Sequence, residues 1–232
     1  RAELTKLVTG LEPKRNEGSA YLPIDRAFNV KGFGTVITGT LTQGSLRIGD
    51  GIEALPARRG HALEAAKVRG LQVFGQAVDS TGPGVRVAVD VQGGSLESLA
   101  PGQVLVSRGS TQPTQRITAH LHHLSVRERD LKTGAKVVLH VGTSLVECGI
   151  TLLDADRLAP GDEGLATLRL KEPVVARPGQ RFIVRSYDAA GKAGRTAGGG
   201  IVLDPEPPRR RRLKEATKVV GEALRARWSQ DE

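Results

Sequence analysis

The chain has 232 residues, and its 34 lysine and arginine residues against 25 aspartate and glutamate residues give a formal net charge of +9. A positive excess of this kind is typical of a surface that meets phosphate groups, although a basic surface without such a partner fits the composition equally well. Aromatic residues make up 3%, so contacts of Arg and Lys with a nucleic acid backbone are favoured over stacking of bases on aromatic side chains.

Cysteine usage and hydropathy restrict the compartment. Cys148 is the single cysteine, which excludes an internal disulfide. No secretory segment or apolar run long enough to span a bilayer is present. We therefore expect a cytoplasmic protein with no membrane partner. Because the chain lacks methionine and begins at Arg1, we also expect it to be a piece of a longer polypeptide.

In chain order, the first predicted element is the end of a helix. Leu4, Leu7, Val8 and Leu11 recur at helical spacing before the sequence turns polar. Residues 1–17 are therefore predicted to finish a helix and continue as a linker.

A first β-barrel is predicted at residues 18–112. Across this segment, short β-rich runs alternate with Gly and Pro turns at the spacing of an all-β barrel or sandwich. Residues 85–91 illustrate the pattern, because their valines share one face while Arg86 and Asp90 lie on the other.

A second β-barrel is predicted at residues 113–205, where consecutive prolines end the sheet because proline cannot join a ladder of hydrogen bonds. Residues 206–232 combine a basic linker with a helical pattern. The fold class predicted is therefore all-β, with two consecutive β-barrels and a short C-terminal helical stub. The strands predicted for the second barrel are 116–124, 135–141, 144–153, 164–171, 181–186 and 195–203.

Residues 31–34 (KGFG) form the most informative turn of the chain. Apolar and β-branched residues alternate on both sides of it, which is typical of two strands joined by a glycine turn. It is a poor phosphate-loop candidate, since such a loop opens a helix, whereas the β-branched residues 35–38 (TVIT) favour a strand.

This turn and its flanks resemble the opening of the second domain of translational GTPases, the β-barrel beside the nucleotide-binding domain in elongation factor Tu. Within that class, residues 24–26 (IDR) and 31–35 (KGFGT) are most similar to selenocysteine-specific elongation factors. The later runs 67–74, 83–91 and 101–106 fall in the order and spacing of the remaining strands of that domain.

The second half of the chain carries the same resemblance. Residues 181–202 resemble the closing hairpin of the third domain of this class, and residues 198–205 (GGGIVLDP) again resemble the selenocysteine-specific branch. The resemblance covers residues 18–205 and implies barrels of the second-domain and third-domain types. Residues 1–17 would then be a remnant of the end of the GTPase domain.

The nucleotide-binding motifs of that class are absent. The phosphate-cradling loop G-x-x-x-x-G-K-[ST] has no match, because the single Gly-Lys pair, Gly191-Lys192, is followed by Ala193. We therefore predict that the chain is not an enzyme and holds no cofactor. In the full-length factor, GTP and magnesium would bind the GTPase domain, and C-terminal winged-helix domains would recognise an mRNA hairpin.

The resemblance implies a selenocysteine pocket formed by Asp25, Arg26 and Arg69. A selenol is more acidic than a thiol and is largely ionised near neutral pH, whereas the serine hydroxyl stays neutral. Charge-assisted hydrogen bonds from guanidinium groups would therefore favour selenocysteine. The alternative is that Asp25 and Arg26 form surface pairs that contribute about 0–1 kcal/mol.

The resemblance also implies a site for the 3′ end of the tRNA at Val30, Val36 and Gln72. Gln72 departs from the acidic residue of elongation factor Tu, yet an amide can still bond a ribose hydroxyl. For either valine alone, an ordinary place in the barrel core is the competing interpretation.

Contacts with the tRNA backbone are implied for Arg185, Lys192 and Arg195, around the Gly-Arg-Thr turn of the second barrel. Such contacts fix position without reading sequence. A solvated charged hairpin is the competing interpretation.

A metal site is not predicted. His120, His122, His123 and His140 with Cys148 invite the idea, but no C-x-x-C or H-E-x-x-H spacing supports zinc. Cys148 lies in the middle of a predicted strand, where a buried structural role is expected rather than a nucleophilic one.

The leading functional hypothesis is the RNA-binding part of a selenocysteine-specific elongation factor, which helps to hold selenocysteinyl-tRNA for delivery to the ribosome. Its other partners would be its own GTPase domain and the winged-helix domains. Two alternatives stay open: the barrels of a general translational GTPase, and a non-catalytic spacer or protein-interaction module.

Overall fold

The computed structural model describes residues 18–31, 34–57, 66–93, 99–127, 129–187, 191 and 193–207, with four further positions at 219, 222, 223 and 226. The described chain is built from 17 β-strands, β1 to β17, and the predicted all-β class is confirmed. The predicted helix remnant at residues 1–17 lies outside the described residues. The predicted C-terminal helical stub lies outside them too, apart from the four isolated positions. Within the described part, no helix is long and apolar enough to span a membrane.

The chain divides into two compact units: the last segment of the first ends at Ser110 and the main segment of the second begins at Thr111, while the short segment Pro101–Gln103 and the residues that follow Ala54 are also assigned to the second. The first unit contains nine strands. Six of them close a barrel in the order β4-β9-β1-β2-β8-β5, with β5 pairing back to β4, while β6 extends the edge of β5 and β3 pairs with β7. These strands are β1 (Tyr21–Val30), β2 (Gly34–Thr40), β3 (Leu46–Arg47), β4 (Gly51–Leu55), β5 (Ala66–Val73), β6 (Gln76–Val78), β7 (Ser80–Thr81), β8 (Arg86–Gln92) and β9 (Val104–Ser107).

Alternation along these strands separates the barrel core from the outer face. In β8, Val87, Val89 and Val91 are buried, while Arg86 is exposed and Asp90 only partly buried. Because successive side chains of a strand point to opposite faces, this period of two turns the valines inward. They join a core that also contains Leu22, Ile24, Ile37, Leu41, Leu46, Ile52, Leu71 and Leu105.

The second unit is a closed six-stranded barrel in the order β10-β15-β13-β12-β16-β17, with a separate pair β11–β14. All six strands predicted for this half of the chain are confirmed, with ends that differ by at most a few residues. The strands are β10 (Thr114–His123), β11 (Leu131–Lys132), β12 (Lys136–Val141), β13 (Ser144–Leu152), β14 (Arg157–Leu158), β15 (Glu163–Val174), β16 (Arg181–Tyr187) and β17 (Ala193–Asp204).

The glycine run in β17 has a packing reason. A Cβ atom on Gly200 would overlap the carbonyl oxygen of His120 in β10 and would lie 2.9 Å from Cζ of Phe182 in β16. Gly198 and Gly199 approach backbone carbonyl oxygens of the same two strands. The close approach of three backbones therefore requires residues without side chains.

Candidate functional site

Four neighbouring strands of the first barrel, β1, β2, β8 and β5, carry the predicted residues on their outer face. Residues that pair across antiparallel strands project to the same face. One transverse row consists of Phe28, Val36, Asp90 and Gly70, and the next consists of Arg26, Thr38, Ala88 and Gln72.

A cleft of about 470 Å³ opens on this face. Val30, Val36 and Gln72, the residues predicted to receive the 3′ end of a tRNA, all line it. Both valines are only partly buried, and neither belongs to the barrel core. The structure therefore brings these three residues together on an accessible surface. The other lining residues are Phe28, Ile48, Gly70, Leu71, Ala77, Val78, Asp79, Ala88 and Asp90.

Sequence reasoning missed several side chains of this cleft. Phe28 is 40% exposed, and the alternation of β1 could have placed it beside Val30, two residues further along. Ile48, which is 50% exposed, follows a two-residue strand and shows no periodic signal. Together they make the cleft more apolar than the predicted residues alone.

Arg69 is held at the edge of this cleft by Asp90. Its guanidinium group donates from Nε to Oδ2 of Asp90 at 2.7 Å and from Nη2 to Oδ1 at 2.8 Å. Two parallel hydrogen bonds fix both the position and the plane of the group. The same Nη2 lies 3.2 Å from the place where a Cβ of Gly34 would be, and Gly34 has a φ of +84°. Glycine therefore leaves room for Arg69 beside the turn.

Asp25 has a different partner from the ones predicted. Its carboxylate accepts a hydrogen bond from Nη1 of Arg86 at 2.5 Å, and Nη2 of Arg86 lies 3.3 Å from the Thr38 hydroxyl. The side chains of Arg86 and Asp25 are 56% and 32% exposed, so water screens this pair. Asp25 therefore orients Arg86. Sequence reasoning had not included Arg86 among the pocket residues.

Arg26 is exposed, and among the described residues no carboxylate forms an ion pair with it. Arg26 lies in β1 and Arg69 in β5, with β2 and β8 between them. Three strand spacings correspond to about 14 Å between their backbones. The structure therefore places Asp25, Arg26 and Arg69 on one side of the barrel without direct contact among them.

Two of the predicted backbone-binding residues of the second barrel, Arg185 and Arg195, lie on the β16–β17 hairpin. Nε of Arg185 donates to the carbonyl oxygen of Gly194 at 2.8 Å, and the carbonyl oxygen of Arg195 accepts from the Ser186 hydroxyl at 3.1 Å. Arg185 pairs across the hairpin with Thr196, the neighbour of Arg195, so the two arginines are close along the ladder. Lys192 lies outside the described residues.

Among the described residues, no three His, Cys, Asp or Glu side chains are grouped so that they could hold a metal ion. The ring nitrogens of His123 lie 2.8 Å from the carbonyl oxygens of Ala197 and Arg129. Burial raises the pKa of the Cys148 thiol to about 12, and the side chain belongs to the barrel core. The buried position expected for Cys148 is confirmed, and a protonated thiol there would be a weak nucleophile.

Two family models match the chain. Residues 34–106 match the model described as elongation factor Tu domain 2, and residues 114–209 match the one described as selenocysteine-specific elongation factor, beta-barrel domain. Each match corresponds to one of the two barrels. Neither model describes a GTP-binding domain.

Two curated relatives extend this result. The chain is 34% identical over 202 residues to a selenocysteine-specific elongation factor of Desulfomicrobium baculatum. The aligned region covers 87% of this chain and 30% of that protein. It is 30% identical over 199 residues to elongation factor Tu 2 of Streptomyces avermitilis, covering 84% of this chain and 48% of that protein. The chain therefore spans less than half of each relative.

The two barrels, the cleft on the outer face of the first barrel and these matches define the barrel module of a translation elongation factor. Within that class, the match of the second barrel and the 34% identity to the Desulfomicrobium baculatum protein indicate similarity to selenocysteine-specific elongation factors. The resemblance inferred from the sequence is confirmed.

Proposed function

We propose that this chain is the RNA-binding part of a selenocysteine-specific elongation factor, and that its barrels help to hold selenocysteinyl-tRNA for delivery to the ribosome. The single observation that carries the proposal is the cleft on the first barrel, in which Val30, Val36 and Gln72 meet. A cleft of about 470 Å³ is in the size range of small-molecule sites and large enough for one nucleoside.

The terminal adenosine of the tRNA occupies this cleft in our proposal. Val30 and Val36, with Phe28, provide an apolar wall for the base, and the Gln72 amide bonds a ribose hydroxyl. Asp79 and Asp90 also line the cleft, and their carboxylates are further acceptors for ribose hydroxyls. The apolar wall thus contacts the base, and the polar side chains of the cleft bind the sugar.

The aminoacyl group then lies near the cations of the outer face. Arg69 stands at the cleft edge because Asp90 holds it, and Arg26 lies on the neighbouring row. Guanidinium groups stabilise a selenolate and give a neutral hydroxyl no comparable benefit. Asp25, through Arg86, limits the repulsion among the cations on this face.

The second barrel contributes contacts with the tRNA backbone. Arg185 and Arg195 lie on one hairpin, and Lys192 belongs to the same turn in the sequence. Lys and Arg side chains bind phosphates without reading bases, so these residues set the orientation of the tRNA on the barrels.

In this proposal, the chain does no chemistry and holds no cofactor. GTP and magnesium bind the GTPase domain of the full-length cytoplasmic factor, which together with C-terminal winged-helix domains completes the assembly on the ribosome. The matched regions are barrel domains, which supports a binding role for them.

A general elongation-factor barrel module is the second candidate, because the chain is also 30% identical to an elongation factor Tu. The test is to titrate the chain with selenocysteinyl-tRNA, seryl-tRNA and deacylated tRNA of one sequence. Fluorescence anisotropy measures binding in each titration. We expect at least about tenfold tighter binding of selenocysteinyl-tRNA than of seryl-tRNA, or about 1.4 kcal/mol. Equal binding of both aminoacylated forms above the deacylated form would favour the general module. No binding of any form would leave a spacer role.

A further inference from the structure

The outer face of the second barrel contains an unusual row of cations. Arg116 in β10 pairs directly with Arg169 in β15, and Arg169 pairs on its other side with Gly149 in β13, which in turn pairs with Lys136 in β12. Paired residues share a face, so three positive side chains lie in one transverse row. Like charges directly opposite each other destabilise a sheet, so the Arg116–Arg169 pair calls for a reason other than folding.

The described acidic groups near this row form no ion pair with it, although the charge of Lys136 contributes to lowering the pKa of Glu147. Among the described residues, no carboxylate forms an ion pair with Arg116, Arg169 or Lys136. Glu147 instead forms an ion pair with Lys171, with 2.8 Å between Oε2 and Nζ. Asp204 accepts the backbone N–H of Glu206 at 2.8 Å, and Glu206 lies with Arg116 on an open groove. Arg169 is exposed and Arg116 partly exposed, and neither guanidinium group is engaged in an ion pair with a described carboxylate.

The row also leaves space for a ligand. A Cβ atom on Gly149 would find no heavy atom within 4 Å, so a gap lies between Arg169 and Lys136. Adjacent strands are about 4.8 Å apart, which separates these two backbones by about 10 Å. An anion can approach the sheet closely at Gly149 and meet a cation on each side.

The row lies on the same outer face as Arg185 of the β16–β17 hairpin. Lys136 lies two residues from Val138 on the same face of β12, and Val138 pairs with Arg185 in β16. The cations Arg185, Lys136, Arg169 and Arg116 therefore form one band across five consecutive strands of the barrel. We call these four residues the cationic band.

We propose that the Arg116–Arg169 end of the cationic band binds phosphate groups of the RNA backbone, which extends the tRNA contact beyond the β16–β17 hairpin. Two guanidinium groups on paired strands can donate to one phosphate together, and Gly149 admits the next phosphate toward Lys136. This inference rests on the proposed function, because it concerns the same tRNA. RNA is favoured over an acidic protein because this band belongs to an elongation-factor barrel.

The test compares Arg116→Gln/Arg169→Gln with the wild-type chain in anisotropy titrations of selenocysteinyl-tRNA over a range of salt concentrations. We expect at least about tenfold weaker binding at low salt. The slope of log affinity against log salt concentration should decrease by about 0.9 for each phosphate that the variant no longer neutralises. Preference for selenocysteinyl-tRNA over seryl-tRNA should not change, because phosphates do not report the amino acid. The thermal midpoint should stay constant or rise, since two opposed like charges are removed.

The control is Lys132→Gln/Arg157→Gln, which removes two cations that face each other in the separate β11–β14 sheet. It also breaks the ion pair of Arg157 with Asp130, so its thermal midpoint is not compared, but tRNA affinity and slope should stay unchanged. Equal slopes for both double variants would overturn the inference, as would a lowered midpoint with unchanged affinity. Polyglutamate that competes as strongly as RNA would assign the surface to an acidic protein instead. If the wild type prefers selenocysteinyl-tRNA but Arg116→Gln/Arg169→Gln has the same salt slope as the wild type, only this inference fails. If the wild type binds no tRNA, the proposed function fails with it.

Discussion

Arg69 and Asp90 form a bidentate ion pair across β5 and β8, with donor–acceptor distances of 2.7 and 2.8 Å. Asp90 lines the cleft of the first barrel, so the pair connects the cleft wall to the cation beside the glycine turn. The side chains of Arg69 and Asp90 are 44% and 14% exposed. The pair is therefore partly shielded from water, and it positions Arg69 more firmly than an exposed pair would.

Arg69→Ala should weaken binding of selenocysteinyl-tRNA by about tenfold or more and binding of seryl-tRNA by less than about threefold. A guanidinium contact with a partly desolvated anion contributes more than one with a neutral hydroxyl. Competition titrations of the two aminoacylated tRNAs measure the difference. Lys67→Ala is the control, because it removes an exposed cation of the same strand, β5, that does not line the cleft. Equal losses for both tRNAs in Arg69→Ala would make Arg69 a general backbone contact.

Gln72→Leu should weaken binding of tRNA by about five- to tenfold, since a hydrogen bond to a ribose hydroxyl contributes about 1 kcal/mol. The same variant should show no loss with a tRNA that ends in deoxyadenosine, because the partner hydroxyl is already gone. Gln76→Leu serves as control, since Gln76 lies on the same hairpin but does not line the cleft. A Gln72→Leu loss that persists with the deoxy tRNA would contradict the proposed ribose contact.

Strand positions in the second barrel could be predicted because alternation and glycine turns mark both ends of each strand. The run 144–153, for example, corresponds to β13, Ser144–Leu152. The pairing of Asp25 with Arg86 could not be predicted in this way. The β1–β2 register shifts at Asp25, and the β5–β8 register shifts at Arg69. A bulge interrupts the period of two, so the direction of the side chain depends on the neighbouring strand and not on the local sequence.

The cleft illustrates the same division. Val30, Val36 and Gln72 were chosen by resemblance, and their roles in binding stay predictions. Their common location follows from the register of β1, β2, β8 and β5. Ile48 completes the cleft from a turn whose path no local pattern indicates.

Phe74→Asn should stabilise the first barrel by about 1 kcal/mol. Phe74 and Gly75 connect β5 and β6 with φ angles of 52° and 79°, which are the signs of a type I′ turn that favours Asn-Gly. A bulky residue in this region costs about 1–2 kcal/mol, and Phe74, 88% exposed, recovers little by burial. Chemical denaturation measures the change. Val126→Asn, at another exposed apolar residue (80%), should have an effect within about 0.5 kcal/mol. A loss of stability in Phe74→Asn would show that the ring makes contacts in the folded chain.

Gly200→Ala should destabilise the second barrel by about 3 kcal/mol or more. Its Cβ would overlap the His120 carbonyl oxygen in the neighbouring strand, and a closely packed sheet cannot separate without losing ladder hydrogen bonds. Gly149→Ala is the control, because its Cβ would enter open space and the lower entropy of the unfolded chain gives a small gain of about 0.5 kcal/mol. Urea unfolding of both variants measures the contrast. Similar midpoints for the two would contradict a requirement for glycine at position 200.

His140 should make the second barrel less stable as the pH falls below about 6.5. Its Nε2 is buried without a hydrogen-bond partner among the described residues. Burial first, and the charge of Arg185 second, lower the pKa of His140 from its ordinary value of 6.5. The folded chain then binds fewer protons at this site than the unfolded chain between the lowered pKa and 6.5. Stability at this site is therefore complete above 6.5 and decreases as the pH falls through that window.

The measurement is the free energy of unfolding between pH 5 and 8 (roughly the range in which histidine titrates) for the wild type and for His140→Gln. The difference between the two should shrink toward low pH, because the wild type loses stability that the variant never had. Arg185→Gln should reduce this pH dependence without abolishing it, since burial is the larger cause. His122→Gln, at an exposed histidine of the same barrel, is the matched replacement. Parallel pH profiles for the wild type and His140→Gln would show that the imidazole is not desolvated in solution.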